Sequence, residues 1–170
     1  GTYKDYYSKF SYSSNWNEVC WGGLTVASIA LFGKKVTAGD TEMGNTSLID
    51  LLEMNMNPSE KGTNAYQLPL LYGPDGSFDE GYSYWNYGTS YEIAMIKALE
   101  TAFGKTASGI VSLVNSDGFL KTDTYMQFME SPLGGSSYAT FSYADGGTST
   151  ARVLWPLFWF ADHKHDYSVL

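Results

Sequence analysis

The chain is poor in the residues that several kinds of binding site require. Its 170 residues include one arginine, Arg152, one cysteine, Cys20, and two histidines, and its net charge is −8. A nucleic-acid-binding surface needs clustered basic residues, and a densely sulfated ligand needs several arginines. The composition therefore argues against a nucleic-acid partner and against heavily sulfated polymers, and a single cysteine excludes an internal disulfide.

Long apolar runs are absent as well. No stretch reaches the roughly 18 consecutive apolar residues of a membrane-spanning helix, so no membrane partner is predicted. The length suits a single domain, residues 1–170, with a buried core. His163, His165 and the nearby acids of "DHKHD" are metal-ligand types, but no further ligand group is evident and the segment lies at the chain end. We therefore predict a solvated helix end there and no metal site.

Aromatic residues are abundant, at 16% of the chain with 14 tyrosines. They crowd into "DGSFDEGYSYWNYGTSYE", residues 75–92, where Tyr84, Tyr87 and Tyr91 share one face of a predicted helix. Tyrosine and tryptophan combine an apolar ring with a polar edge, which suits a core and also a sugar ring. A tyrosine can move a proton if its pKa falls toward neutrality. Packing and a proton-moving sugar site are both consistent with this cluster.

Apolar periodicity predicts helices along most of the chain. The predicted helices cover residues 16–32, 48–57, part of 65–73, a segment from within 79–88 to 103, 108–115, 120–130 and 148–163. Ala139, Phe141 and Tyr143 alternate with polar residues, which predicts a short β segment near residues 138–144. The first helix and the helix ending at 103 look apolar on two faces, which favours two layers of helices. The predicted fold class is mainly α.

A second candidate site surrounds Trp16. Asn15 and Asn17 flank this ring at the start of the first helix, where amides and free backbone N–H groups favour an anion such as a sugar carboxylate. Asn15 with Glu18 three residues later also fits a simple capping box. The local pattern leaves both interpretations open.

Several of these segments resemble successive landmarks of the heparinase II/III-like polysaccharide lyases. The matching segments are "SNWNEVCWGG", "PDGSFDEGYSYWNYGTSY", "ALETAFG", "GFLKTDTYMQF" and "FSYADGG". Their order and approximate spacing extend over nearly the whole chain. The resemblance implies an incomplete α/α toroid of inner and outer helices. In that family the toroid is longer and is followed by β-sandwich domains, so the chain is expected to be the later part of a toroid with an incomplete cleft.

The resemblance also implies a reaction and roles for individual residues. The family cleaves uronic-acid polysaccharides by β-elimination, in which a carboxylate is neutralised, the C5 proton is removed and the leaving oxygen is protonated. By resemblance, Tyr84 is the base or acid, Asn15 or Asn17 neutralises the carboxylate, Glu80 and Tyr87 support them, and Trp16, Trp85, Tyr82 and Tyr143 contact sugar rings.

The resemblance further implies an acidic polysaccharide or oligosaccharide as partner, and a periplasmic or secreted location. No cofactor is predicted for this chain, and any metal would belong to the β region. Exposed toroid surface predicts self-association. The sequence departs from the family in having no histidine near Asn15. Two other functions fit the residues: a glycoside hydrolase using Asp79, Glu80 or Asp145, and a carbohydrate-binding or interaction domain without chemistry.

Overall fold

The computed structural model describes residues 13–34, 36–38, 41–43, 45–130, 140–141, 143–144, 146–147 and 155–170. This part of the chain is mainly α-helical, as the sequence predicts. The helices are α1 (Asn15–Leu31), α2 (Asn45–Asn55), α3 (Asn64–Leu71), α4 (Gly81–Phe103), α5 (Ser108–Val114), α6 (Thr122–Phe128) and α7 (Trp155–Lys164), with short 3₁₀ turns at Phe119–Lys121 and Tyr167–Val169. A small antiparallel hairpin, which the sequence did not predict, joins β1 (Val36–Ala38) to β2 (Thr41–Met43).

Helix α1 matches the predicted helix but not its predicted cap. The helix begins at Asn15, which is its first helical residue, and the extended residue Ser14 precedes it. Glu18 does not fold back onto the helix start; its carboxyl group contacts the Tyr72 hydroxyl instead. The predicted capping box is therefore wrong. The helix ends at Leu31, before Gly33, whose φ of 81° favours glycine.

Helices α1 and α4 are packed side by side and run in the same direction. The start of α1 at Asn15 is hydrogen-bonded to Glu80, at the start of α4. Further along, Gly22 lies so close to Tyr91 that an added Cβ would be 3.2 Å from the Tyr91 carbonyl oxygen. Contacts that advance together along both helices indicate a parallel pair. The intervening segment, with α2 and α3, returns the chain to the starting end.

Each of these two helices also has an exposed side. On α1 the exposed side carries Trp16 and Val26, and on α4 it carries Tyr87 and Tyr91. The prediction of two buried sides is therefore wrong for α1, whereas α4 packs on α1 with one side and on the apolar core with another. The buried face of α1 is also unexpectedly polar, since it includes Asn15, Asn17, Glu18, Thr25 and Ser28.

The apolar core lies on the other side of α4. Its fully buried members include Trp85, Ile93, Met95, Ile96, Leu99, Phe119, Leu157 and Phe160. Helix α4 ends at Phe103 as predicted, and Gly104, with a φ of 87°, terminates it. The α4 helix thus separates an apolar core from a polar layer beneath α1.

The remaining boundaries differ from prediction in small ways. Helix α2 begins at Asn45, three residues before its predicted start at position 48, and ends at Asn55. Helix α3 includes Pro69 within its last turn, and Thr63 caps it by accepting the Tyr66 N–H. The last helix begins at Trp155, so Pro156 lies in its first turn, where no intrahelical N–H bond is lost.

The predicted β segment near residues 138–144 is only partly described. Thr140 forms an isolated antiparallel bridge with Glu130, and the Phe141 N–H donates to the Met129 carbonyl at 2.8 Å. Residues 138–139, 142 and 145, and residues 148–154 of the predicted last helix, lie outside the described residues. No helix among the described residues is long and apolar enough to cross a bilayer.

Candidate functional site

The starts of α1 and α4 meet at one end of the helix pair. The Asn15 backbone N–H donates to one Glu80 carboxylate oxygen at 2.6 Å, and its side-chain amide donates to the other at 2.9 Å. Two residues predicted as site members are therefore in direct contact. Their contact ties the first turn of α1 to the residue that precedes α4.

Glu80 occupies the position that the sequence offered to a ligand carboxylate. The positive end of a helix dipole and free N–H groups attract an anion to a helix start. At α1 that anion is the side chain of Glu80, and Asn15 is only 3% exposed. A ligand carboxylate would have to displace Glu80 or bind beside it.

Asn17 lies away from this contact. It is fully buried, and its amide donates to the Gly62 carbonyl at 3.1 Å. The Trp21 indole N–H donates to the same oxygen at 3.0 Å. These bonds anchor the loop before α3, so the prediction that Asn17 meets a ligand carboxylate is corrected to a buried, loop-anchoring residue.

Tyr87 and Tyr84 of α4 differ in exposure, and Tyr84 packs partly against the apolar core. Tyr87 is 48% exposed, and its ring meets the Tyr91 ring edge-on at 5.2 Å. Desolvation, with the Tyr91 hydroxyl adding to it, raises the pKa of Tyr87, which is the wrong direction for a base. Tyr84 is half-buried, and its ring lies near Gly146.

The predicted sugar-contacting rings fall into two groups. Trp16 is 63% exposed at the first turn of α1, so its ring is open to a ligand. Trp85 and Tyr82 are buried, their rings lie 5.8 Å apart, and the Trp85 indole donates to the Thr122 hydroxyl at 2.7 Å. The prediction that Trp85 and Tyr82 contact sugar is corrected, because both rings are core residues.

Tyr143 lies against the start of α4, and its contacts there are structural. Its hydroxyl is 2.6 Å from the Tyr125 hydroxyl and also donates to the Phe78 carbonyl. Its own carbonyl would be 2.9 Å from a Cβ added at Gly81, whose φ is 81°. The positive φ and this close approach both require glycine at position 81. Tyr143 therefore packs directly on the start of α4, and part of its side chain remains exposed.

A polar layer that the sequence did not reveal lies beneath α1. The Tyr72 hydroxyl bonds to the Glu18 carboxyl group and is 2.8 Å from the Thr89 hydroxyl. The Asn64 amide donates to Glu92 at 2.6 Å. The sequence signal for this layer is Glu92, a glutamate among the apolar residues of α4. That signal does not reveal which residues Glu92 contacts.

The acids of this layer are strongly perturbed. Burial, followed by the nearby Glu92 carboxyl, raises the pKa of Glu18 well above its ordinary value. Burial likewise raises the pKa of Glu92 to about 8, although the Asn64 hydrogen bond opposes the shift. Burial and Glu18 together raise the pKa of Tyr72. Each of these shifts favours the neutral form of the group.

A concave surface lies at the far end of α4. It is an apolar cleft of about 270 Å³ lined by residues of α2, α4 and α5, including Ile49, Met56 and Phe103. Few polar groups converge on it. The start of α1 and α4 is therefore the better candidate for a site that must recognise a polar ligand.

Metal-binding chemistry has no support within the described residues, which contain no group of three His, Cys, Asp or Glu side chains able to hold an ion. His163 stacks on the Trp159 ring at 4.9 Å, and burial lowers its pKa. Comparison with known proteins adds nothing further, since no family model and no curated protein matches the sequence.

Proposed function

We propose that this chain is part of the α/α toroid of a polysaccharide lyase that acts on uronic-acid polysaccharides by β-elimination. The proposal rests on the resemblance of the segments around Asn15 and Tyr84 to the heparinase II/III-like lyases. One geometric observation supports it further: Asn15 and Glu80 of these segments are 65 residues apart in the sequence, and they meet at one end of a parallel helix pair.

The parallel arrangement of α1 and α4 also supports the toroid. In a toroid of inner and outer helices, successive inner helices run in parallel, and the chain returns through an outer helix between them. Here α1 and α4 would be inner helices, with α2 and α3 on the return path. Their open face carries Trp16, Tyr87 and Tyr91, as a cleft lining would.

The proposed reaction assigns three tasks to this face. The C5–H bond breaks as its proton passes to a base, a C4–C5 double bond forms, and the C4–O bond breaks with a proton supplied to the departing oxygen. Tyr84 is the proposed carrier of the proton, because its side chain is neither fully buried nor fixed by a described hydrogen bond. Asn15 is the proposed partner of the uronate carboxylate, which would displace Glu80 or bind beside it, and Trp16 is the proposed stacking ring.

Carbohydrate binding without chemistry is the second candidate. It is favoured by the exposed rings of Trp16 and Tyr87 and by the full engagement of Asn15 with Glu80. The hydrolase alternative is weaker, because both Glu80 oxygens accept bonds from Asn15.

An absorbance assay for unsaturated uronate ends tests the proposal. The 170-residue chain and any longer protein that contains it would be incubated with heparan, chondroitin, hyaluronan and alginate, as wild type and as Tyr84→Phe. Tyr167→Phe is the matched control, since Tyr167 is 62% exposed and distant in sequence. We expect product with the wild type and control and at least a hundredfold lower rate with Tyr84→Phe, about the size of a lost general acid or base.

Three outcomes would contradict the proposal. No product with any polymer, in the presence of measurable binding, would favour the binding function. Unsaturated product that forms equally fast with Tyr84→Phe would remove the proton transfer from Tyr84. New reducing ends without unsaturated product, lost in Glu80→Gln, would instead indicate a hydrolase.

A further inference from the structure

Two acidic side chains are sealed inside the molecule between α1, α3 and α4. Glu18 of α1 and Glu92 of α4 are both 0% exposed. Within the described part of the chain, each has one carboxyl oxygen with a hydrogen-bond partner and one oxygen with none. The unpartnered Glu18 oxygen lies against Gly88, where an added Cβ would be only 1.9 Å away.

The groups that face these acids are neutral or acidic. Glu18 meets the Tyr72 hydroxyl, and the carboxyl groups of Glu92 and Glu80 are close enough to influence its charge. Glu92 meets the amide of Asn64. The ion pairs found among the described residues, Lys97 with Glu100 and Lys164 with Asp123, lie elsewhere.

This arrangement is unfavourable for two negative charges. A buried carboxylate without a cation loses its hydration and regains little of it from one hydrogen bond. Two such carboxylates also repel each other through a medium that screens poorly. A proton on the acid removes the charge and converts an oxygen without a partner into a potential donor.

We propose that the Glu18–Glu92 pair retains at least one proton in the folded protein at neutral pH and acts as a pH-sensitive clasp between α1, α3 and α4. As the pH rises, the pair becomes charged and the packing of α1 on α4 weakens. The candidate ligand site lies at the starts of α1 and α4. A pH-dependent change in the packing of these helices would therefore change the geometry of that site. The inference itself does not depend on the proposed function.

The sign of the pH dependence follows from the raised pKa values. In the unfolded chain both acids lose their protons near the ordinary value of 4.5, whereas folded Glu92 retains its proton to about 8. Between these values the folded state binds more protons than the unfolded state, so stability falls as the pH rises. One retained proton lowers the folded-to-unfolded ratio by up to about tenfold per pH unit.

Urea unfolding of the 170-residue chain at several pH values between 5 and about 9 tests the clasp. Wild type would be compared with Glu92→Gln, Glu18→Gln and the control Glu53→Gln, an exposed acid on α2. We expect the wild type and Glu53→Gln to lose up to about tenfold in folding equilibrium per pH unit up to about pH 8, where the Glu92 proton is released and its contribution to the slope ends. Each core glutamine variant should remove the part of that slope that its own proton contributes, since a neutral isostere has no proton to lose, and the double variant should remove both parts.

Infrared spectroscopy on the wild type is a second measurement. It needs no variant, so it remains informative if a glutamine variant does not fold. With ¹³C-labelled glutamate, a protonated carboxyl band should persist at pH 7 and disappear on the same pH scale as the stability. The proposal is overturned if no such band is present at pH 7, or if the wild-type slope equals that of a folded Glu92→Gln variant.

Discussion

The two sides of α4 are packed by different means. Toward α5 and α7, the helix presents Trp85, Ile93 and Leu99 to an apolar core. Toward α1, it presents Gly88, Thr89 and Glu92 to a layer held by hydrogen bonds. Apolar packing is non-directional and tolerant of small shifts, whereas buried polar groups demand a partner for each atom.

This difference has a consequence for where function can lie. A buried polar layer specifies one arrangement of the helices that it joins. The layer beneath α1 fixes Asn15 and Glu80 at the helix starts, next to the exposed rings of Trp16 and Tyr87. The apolar side supports the fold, and the polar side sets the geometry of the candidate site.

The largest expected effect comes from the apolar side. Trp85→Ala removes a fully buried ring and leaves the Thr122 hydroxyl without its indole donor. We expect a loss of about 3–5 kcal/mol in the free energy of unfolding. Trp16→Ala, at an exposed ring, should change it by less than about 0.5 kcal/mol. Urea unfolding measures both, and equal effects would contradict the assignment of Trp85 to the core and Trp16 to the surface.

A smaller effect is expected from a single methyl group on the polar side. Gly88→Ala places a Cβ against the Glu18 carboxyl group and 3.2 Å from the Asn15 Cβ, so Glu18 must move within a buried layer. The expected cost is about 1–3 kcal/mol. Gly23→Ala is the matched control, because nothing lies within 4 Å of its added Cβ on the open face of α1. It should stabilise the protein by about 0.5–1 kcal/mol, and a stabilising Gly88→Ala would show that the layer is loosely packed.

Helix positions were predictable because their causes are local. The apolar spacing of α4 and the glycine at position 104 place both its body and its end, and Gly33 does the same for α1. The three-residue strands of the hairpin carry too short a pattern to be recognised. The cap at Asn15 failed because its partner, Glu80, is 65 residues away, and no local rule contains that contact.

The sequence predicted the residues of the candidate site better than it predicted which way their side chains face. Spacing places Tyr84, Tyr87 and Tyr91 on one face and Tyr82 with Trp85 on another, but it does not say which face meets the core. Tertiary packing decides this, and it buries Trp85 and Tyr82. The buried acids were missed for the same reason, since a glutamate in a helix is usually a surface residue.

The most direct test of the proposed site is a titration of the ¹⁵N-labelled chain with unsulfated oligouronates, followed by NMR. Binding is read separately from turnover in this experiment. The account predicts shifts of the Trp16 indole N–H and of the amides of Asn15, Tyr84 and Tyr87, with the Trp85 indole unchanged. No shifts at saturating ligand, or shifts confined to the apolar cleft around Phe103, would contradict it.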